Sequence, residues 1–243
     1  MWKSINKWRR FTRTAWIKSL FFNLYMLPFR DGIKMPVLLA RGTHLFSLEG
    51  KLKLLCPASF GMIRFGYLNE DFVSAKKHGI NLCIKGTLCL GRWCRFAPGT
   101  TLRIYSTGTL MFHNNIAIGF GTKFFCMDNI EIGSNTRFGF EAIVTDTTFH
   151  YMRDLESQET YPLTAPVRIG EHNWVGARSY IMKGCATPNY TIISAGSFCN
   201  KNYDIPEYCL LAGAPAKVRR EGIYRCLDEE EGAIKQSLGQ DIQ

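Results

Sequence analysis

No two of the nine cysteines stand in a C-x-x-C spacing, and no acidic residue precedes Asp31. The first absence argues against a zinc site, whose ligands come in such pairs. Unpaired thiols suit a reducing cytoplasm, and several of them, Cys83, Cys89 and Cys199, fall in or near apolar positions where Cys packs as a small hydrophobe. The second absence leaves Lys3, Lys7, Arg9, Arg10, Arg13 and Lys18 without a neighbouring partner of opposite sign. Long apolar runs are missing too. The stretch from Leu20 to Leu27 is interrupted by Asn23, stops at Pro28 and falls well short of the ~20 residues a spanning helix needs. No clear small-residue cleavage site follows it, which weakens a signal peptide. Neither an RNP-type aromatic motif nor zinc-finger spacing occurs, and the cations behind the net charge of +10 are spread along the chain, so no nucleic-acid surface is expected.

What the chain does have is a six-residue period. From Ile169 it reads IGEHNW, VGARSY, IMKGCA, TPNYTI, ISAGSF, CNKNYD, with Ile169, Val175, Ile181, Thr187, Ile193 and Cys199 in the first place. Such a period marks a parallel β-helix, in which three steps make a coil of about eighteen residues. Ile169 is therefore expected over Thr187, Val175 over Ile193 and Ile181 over Cys199. An α-helix, with its 3.6-residue spacing, cannot give this register. Glycine follows the inward residue at Gly170 and Gly176, where a corner needs either a positive φ or room for a close backbone.

The same phase runs upstream through Ile84, Leu90, Phe96, Leu102, Phe112, Ile118, Phe124, Ile132, Phe138 and Val144. The jumps from Leu102 to Phe112 and from Phe124 to Ile132 exceed six, and are read as residues added at corners, where loops tolerate them. The largest break runs from His150 to Val167 and is the place to look for chemistry. The 243 residues, 46% of them hydrophobic, suffice for one elongated core. The chain thus divides into a basic segment over 1–35, a β-helix over 36–222 with a loop excursion at 147–166, and an acidic tail over 223–243 expected to hold a short helix. Residues 1–80 contain no catalytic signature and are read as a leader, a helix and the first coils.

Trp2, Ile5, Trp8, Phe11, Ala15 and Trp16 recur at roughly helical spacing among the N-terminal cations. Two outcomes are open for this basic amphipathic segment: it rests on an anionic membrane face, or it packs on the open strand edge at the end of the β-helix.

IGEHNWVGARSYIMKG, followed by SAGSFCNKNYDIP and LLAGAPAKVRR, resembles the hexapeptide-repeat acyltransferases, and among them the sugar O-acetyltransferases of the galactoside, maltose and capsule or exopolysaccharide types. The likeness covers roughly residues 80 to 222. It implies an all-β, left-handed parallel β-helix with N-terminal and short C-terminal helical segments. It also implies transfer of acetyl from acetyl-CoA to a sugar hydroxyl at the interfaces of a homotrimer, with the protein in the cytoplasm and, if the basic segment touches lipid, at the inner face of the membrane.

A sugar hydroxyl is a poor nucleophile, and a positioned imidazole can take its proton as it attacks the thioester. His150 stands where the related enzymes keep that base, and Asp146 is placed to orient the ring or the substrate. A backbone N–H from a glycine-containing corner, such as Gly176 and Ala177, would serve the oxyanion, and the resemblance implies backbone groups near Ala177 and Ala195 along the pantetheine arm. The alternative for these alanines is that coil corners are tight. Lys201 matches a lysine of the family's common ending, and Lys217, Arg219 and Arg220 follow in APAKVRR; Lys201 and Lys217 are the favoured contacts to the CoA phosphates, and a solvated basic tail is the plainer account. Trp174 either flanks the thioester arm or packs against a neighbouring subunit. His172 and His113 do not reproduce a three-histidine zinc site, so no metal is expected. An N-acetyltransferase of amino sugars or xenobiotics, and a non-catalytic β-helix scaffold, share most of these features.

Overall fold

Inward side chains from successive steps stack into columns, and the columns build a three-sided prism. A computed structural model describes residues 11–67, 78–227 and 229. Among them the first face of the prism holds nine strands, from Val37–Leu39 to Lys217–Arg220; the second holds seven, from His44–Ser47 to Phe198–Cys199; the third holds six, from Lys51–Leu54 to Ala186–Thr187. Neighbouring strands are parallel in every pair except the last of the first face, where Lys217–Arg220 folds back antiparallel on Leu210–Ala212. This is a left-handed parallel β-helix. Among the described residues the first strand of the prism begins at Val37.

The expected stacking is observed. Ile169 lies over Thr187, Val175 over Ile193 and Ile181 over Cys199. The first-face column runs Leu39, Phe65, Phe96, Ile118, Phe138, Val175, Ile193, Leu211, and every one of these is buried. Phenylalanines from different columns interlock inside the prism, with Phe96 edge-on to Phe112 at 5.0 Å and Phe112 edge-on to Phe124 at 5.0 Å. Burial of such surface stabilises at roughly 25 cal/mol per Å² and is the main force holding the coils together.

The slips in the period have a different cause from the expected one. Upstream strands such as Thr101–Ile104 and Thr109–Phe112 have four residues and point two inward, Leu102 with Ile104 and Leu110 with Phe112. Downstream strands such as Trp174–Val175 have two residues and point one inward. The additional residues lengthen strands rather than bulge at corners. Among the cysteines, Cys89 and Cys199 are buried as expected, whereas Cys83 is half-buried because Leu82 and Ile84 take the inward positions on its strand. Burial pushes the Cys94 thiol up to about 12, so it fills space as a neutral group.

Gly170 and Gly176 are needed for closeness, since neither has a positive φ. A Cβ on Gly170 meets the backbone carbonyl carbon of Pro188 at 2.6 Å, and one on Gly176 meets the backbone nitrogen of Ala195. The left-handed turns fall two residues later, often on ordinary side chains: Asn115, Asn135, His172, Tyr190 and Tyr208 form one column with φ between +55° and +64°. That column is laced together. Asn115 Nδ2 donates to Asn135 Oδ1 at 2.7 Å, Asn135 Nδ2 lies 3.1 Å from His172 Nε2, and His172, Tyr190 and Tyr208 stack ring on ring at 4.6 and 4.7 Å. These contacts hold non-glycine residues in a conformation that L side chains otherwise avoid.

The N-terminal end of the prism is closed by helix α1 (Trp16–Met26), followed by the short α2 (Phe29–Gly32). Strand Val37–Leu39 has coils on one side only, so its other edge presents unpaired backbone groups. Side chains of α1 pair them. Asn23 Oδ1 accepts from Val37 N at 3.0 Å while Asn23 Nδ2 donates to Val37 O at 2.7 Å; Ser19 Oγ, one turn earlier, accepts from Leu39 N at 2.9 Å. The asparagine that interrupts the apolar stretch is therefore a substitute for a neighbouring strand, which is how this edge avoids pairing with another chain. Residues 1–10 of the basic segment and most of the expected C-terminal helix lie outside the described residues. Among the described residues no helix is long and apolar enough to cross a membrane.

Replacing Asn23 by Leu keeps the volume but orphans two buried backbone groups, each worth roughly 1–3 kcal/mol. We expect Asn23→Leu to lose about 3 kcal/mol in denaturant unfolding and to raise self-association in light scattering. Wild-type values on both measures are the contrary result.

Candidate active site

Strand Ile143–Thr145 and strand Val167–Ile169 belong to one coil, and the chain between them leaves the prism at the edge joining its second and third faces. The expected loop is an antiparallel arm. Thr147 bridges Thr164 and Arg153 bridges Thr160; Tyr161 N donates to Met152 O at 2.8 Å. At its tip the exposed Asp154 carboxylate accepts from the backbone of Glu156 and Ser157, and those bonds lower its pKa. The base of the arm is pinned by Phe149, which turns at φ +61° and lays its ring against Phe125 and Tyr105.

His150 follows immediately. It is exposed, and among the described residues only its carbonyl is engaged, accepting from Thr148 Oγ1 at 3.1 Å. Asp146 does not hold its ring. The Asp146 side chain is wholly buried, with Oδ1 accepting from Met127 N and Oδ2 from Asp128 N, both at 2.8 Å. Its carboxylate fixes the corner of the preceding coil. Burial, together with that carboxylate, pushes the neighbouring Cys126 thiol upward. Spacing in the sequence cannot distinguish an acid four residues before a histidine that faces it from one that faces the coil below.

The cofactor candidates divide between edges. Gly176, Ala177 and Ala195 lie together on the edge joining the first and second faces, in adjoining coils that touch at Gly176 and Ala195. Gly176 N is taken by Ile193 O at 2.7 Å, and Ala177 O accepts from Gly196 N at 2.9 Å. The N–H groups of Ala177 and Ala195 have no hydrogen-bond partner among the described residues. They form a ledge of two free donors on small side chains, one coil apart, or roughly 4.8 Å. Lys217 and Arg219 lie beyond it on the folded-back strand Lys217–Arg220, with Arg219 Nη2 3.5 Å from the Cβ position of Gly213.

Three candidates stand apart. Lys201 is on the edge joining the second and third faces, its ammonium 5.6 Å from the Tyr203 ring centroid. Trp174 is on the outer surface of the first face, where the Arg225 guanidinium covers its ring at 4.9 Å. His150 is separated from the ledge by the whole second face. Of the two histidines set aside, His113 Nε2 lies 2.8 Å from Glu131 Oε1 and His172 belongs to the corner column. Among the described residues no cluster of potential metal ligands occurs.

The chain is thus a hexapeptide-repeat β-helix protein with a donor ledge on one edge and a histidine-bearing arm on another. No protein-family model matches it. Over 131 residues it is 28% identical to the probable acetyltransferase Rv3034c of Mycobacterium tuberculosis (strain ATCC 25618 / H37Rv); the match covers 53% of this chain and only 42% of that relative. Among solved structures, the polySia specific acetyltransferase NeuO aligns at TM-score 0.47 and 19% identity over 82% of this chain and 98% of that one. The maltose O-acetyltransferase of Clostridium difficile 630 aligns at 0.39 and 16%, over 86% and 84%. A point mutant of AntD, an N-acyltransferase from Bacillus cereus solved with dTDP-4-amino-4,6-dideoxyglucose and coenzyme A, aligns at 0.43 and 16%, over 83% and 88%.

The ledge depends on Gly176. Gly176→Ala forces the coils apart and is expected to cost about 1–3 kcal/mol in denaturant unfolding. Gly196 turns at φ +70° with open space around its Cβ position, so Gly196→Ala brings left-handed backbone strain of about 1 kcal/mol but no clash, and should cost less. Equal losses would contradict a backbone contact at the ledge.

Proposed function

We propose that the protein transfers acetyl from acetyl-CoA to a sugar hydroxyl of a polysaccharide or other glycan precursor. The observation that carries this reading is the pair of unpartnered N–H donors at Ala177 and Ala195. An acyl-pantetheine arm carries amide carbonyls and a thioester carbonyl, and two donors on adjoining coils, at Ala195 and Ala177, suit one of each. The likeness to a probable acetyltransferase agrees with that use.

In the proposed reaction His150 accepts the proton of the acceptor hydroxyl as its oxygen attacks the thioester carbonyl. A backbone N–H at Ala177 donates to the oxyanion of the tetrahedral intermediate. Collapse breaks the carbon–sulfur bond, the thiolate of CoA leaves with the proton from His150, and the sugar keeps the acetyl. Lys217 and Arg219, on the same side as the ledge, meet CoA phosphate groups, while Lys201 contributes from a neighbouring copy.

Because one chain keeps His150 and the ledge a full face apart, the reaction requires a second copy, and we place it in a homotrimer. The arm supports this, since Tyr151, Met152 and Leu155 are exposed and Leu155 is 87% accessible, ready to be covered by a neighbour.

Peripheral contact at the inner face of a membrane completes the proposal. Helix α1 buries Ser19, Phe22, Asn23 and Met26 and leaves Ile17, Leu20, Phe21, Leu24 and Tyr25 in solvent, continued by Phe29 and Ile33. Arg13 and Arg30 stand on either side of this apolar face in sequence, while Lys18 Nζ donates to Thr43 O at 2.7 Å and Lys34 pairs with Asp31; basic residues beside an apolar helix face are the combination that seats a helix on anionic lipid. Both outcomes left open for the basic segment therefore have a face of the same helix to support them.

Two experiments test these points. His150→Ala should lower CoA-thiol release with a panel of sugar acceptors by about 10²- to 10⁴-fold without moving the melting temperature; turnover at the wild-type rate removes His150 as the base. Ile17→Asp with Phe21→Asp should abolish co-sedimentation with phosphatidylglycerol vesicles, while wild type binds these better than phosphatidylcholine vesicles. Absence of vesicle binding by the wild-type protein refutes the membrane contact and leaves acetyl transfer standing.

A further inference from the structure

On the edge that carries the ledge, the coils nearer the N-terminus open into a groove of about 620 Å³. Gly79, Gly99 and Gly121 come from successive coils and form its floor, and Gly99 and Gly121 turn at φ +76° and +70°. The walls are polar and aromatic: His44, His78, Asn81, Lys123, Arg178 and Tyr180. A volume of this size with a few convergent polar groups is what a small-molecule site offers.

The charges in the groove are arranged asymmetrically. Glu141, the carboxylate in the lining, bonds Arg178 Nε through Oε2 at 2.8 Å. That contact orients the guanidinium and leaves its two terminal nitrogens without a partner among the described residues. Lys123 makes no ion pair among the described residues. An oriented guanidinium fork and a free ammonium are the groups that read a carboxylate or phosphate. Lys123 pairs with Ile143, and Ile143 with Tyr180, so Lys123 and Tyr180 lie two strand spacings apart, roughly 10 Å. Phe120, packed edge-on to His78 at 5.2 Å, and the 45% exposed Tyr180 give the apolar face of a sugar ring a surface to lie on.

We infer that this groove binds an anionic sugar unit, its carboxylate or phosphate between Lys123 and Arg178 and its ring against Tyr180. Arg178 directly follows Ala177 of the ledge, so a sugar in the groove lies in line with an acyl chain on the ledge. The inference names the acceptor class of the proposed transfer and rests on that reading for its chemistry, though not for its binding.

An NMR titration of the full chain without CoA decides it, using methyl glucuronide, glucose 1-phosphate and methyl glucoside as probes. At least one anionic probe should bind about tenfold or more tightly than methyl glucoside, and the better of the two identifies the anion. Lys123→Gln and Arg178→Gln should each remove about tenfold of that preference, with unchanged melting temperatures confirming that the exposed side chains are not structural. Equal affinity for all three probes, no binding of either anion, or an unaltered preference in both variants overturns the inference. CoA binding measured in parallel keeps the two readings separate. An anionic sugar bound without CoA affinity refutes acetyl transfer and spares the groove. Thiol release with neutral sugars that is indifferent to Lys123 does the reverse.

Discussion

Every coil of this prism must satisfy its backbone N–H and C=O groups with the coils on either side, and the rest of the structure follows from that requirement. Inward side chains have to lie directly over one another, so the period is strict within the regular coils. Corners have to turn without losing register, so Asn115, Asn135, His172, Tyr190 and Tyr208 accept left-handed dihedrals and brace one another. Where two coils approach closely, even a methyl group is too large, and glycines such as Gly170 and Gly176 are used. The first coil has no neighbour on one side, and there Ser19 and Asn23 take the place of a strand.

Functional features arise where the requirement is relaxed. The arm at 147–166 leaves one coil and returns to the next position in register, so the prism is uninterrupted while His150 stands in solvent. Corner residues that are not needed for coil-to-coil pairing keep N–H groups without a partner among the described residues, as at Ala177 and Ala195. The same edge carries glycine instead of side chains in earlier coils, which opens the groove beside Lys123 and Arg178. One architectural rule thus places a ledge, a groove and an arm around one face, with the arm on the far side of it.

How much could be read in advance depended on whether a residue obeyed the period. Ile169, Val175 and Ile181 announce their columns because each is apolar and six residues from the next. The lengthened strands obscured the phase between Leu102 and Ile132, since an additional inward residue two positions along looks in sequence like an inserted corner. Asp146 and His44 with His78 show the limit for the site. The first is near His150 in sequence yet faces the coil below, and the two histidines are far from the repeat motifs yet share a groove with Arg178.

The coil, the direction of its core, the position of the arm and the basic, acid-free N-terminus were all legible along the chain, because each is expressed in spacing and composition in one dimension. Folding in three dimensions set the rest: which edge each candidate occupies, the face that separates His150 from the Ala177–Ala195 ledge, the strand edge that Asn23 caps, and the groove that Lys123 and Arg178 share. Those facts depend on which coil lies over which and on which way each side chain leaves its corner. Residues dozens of positions apart become neighbours through stacking, a relation that the period implies for inward residues but leaves open for outward ones.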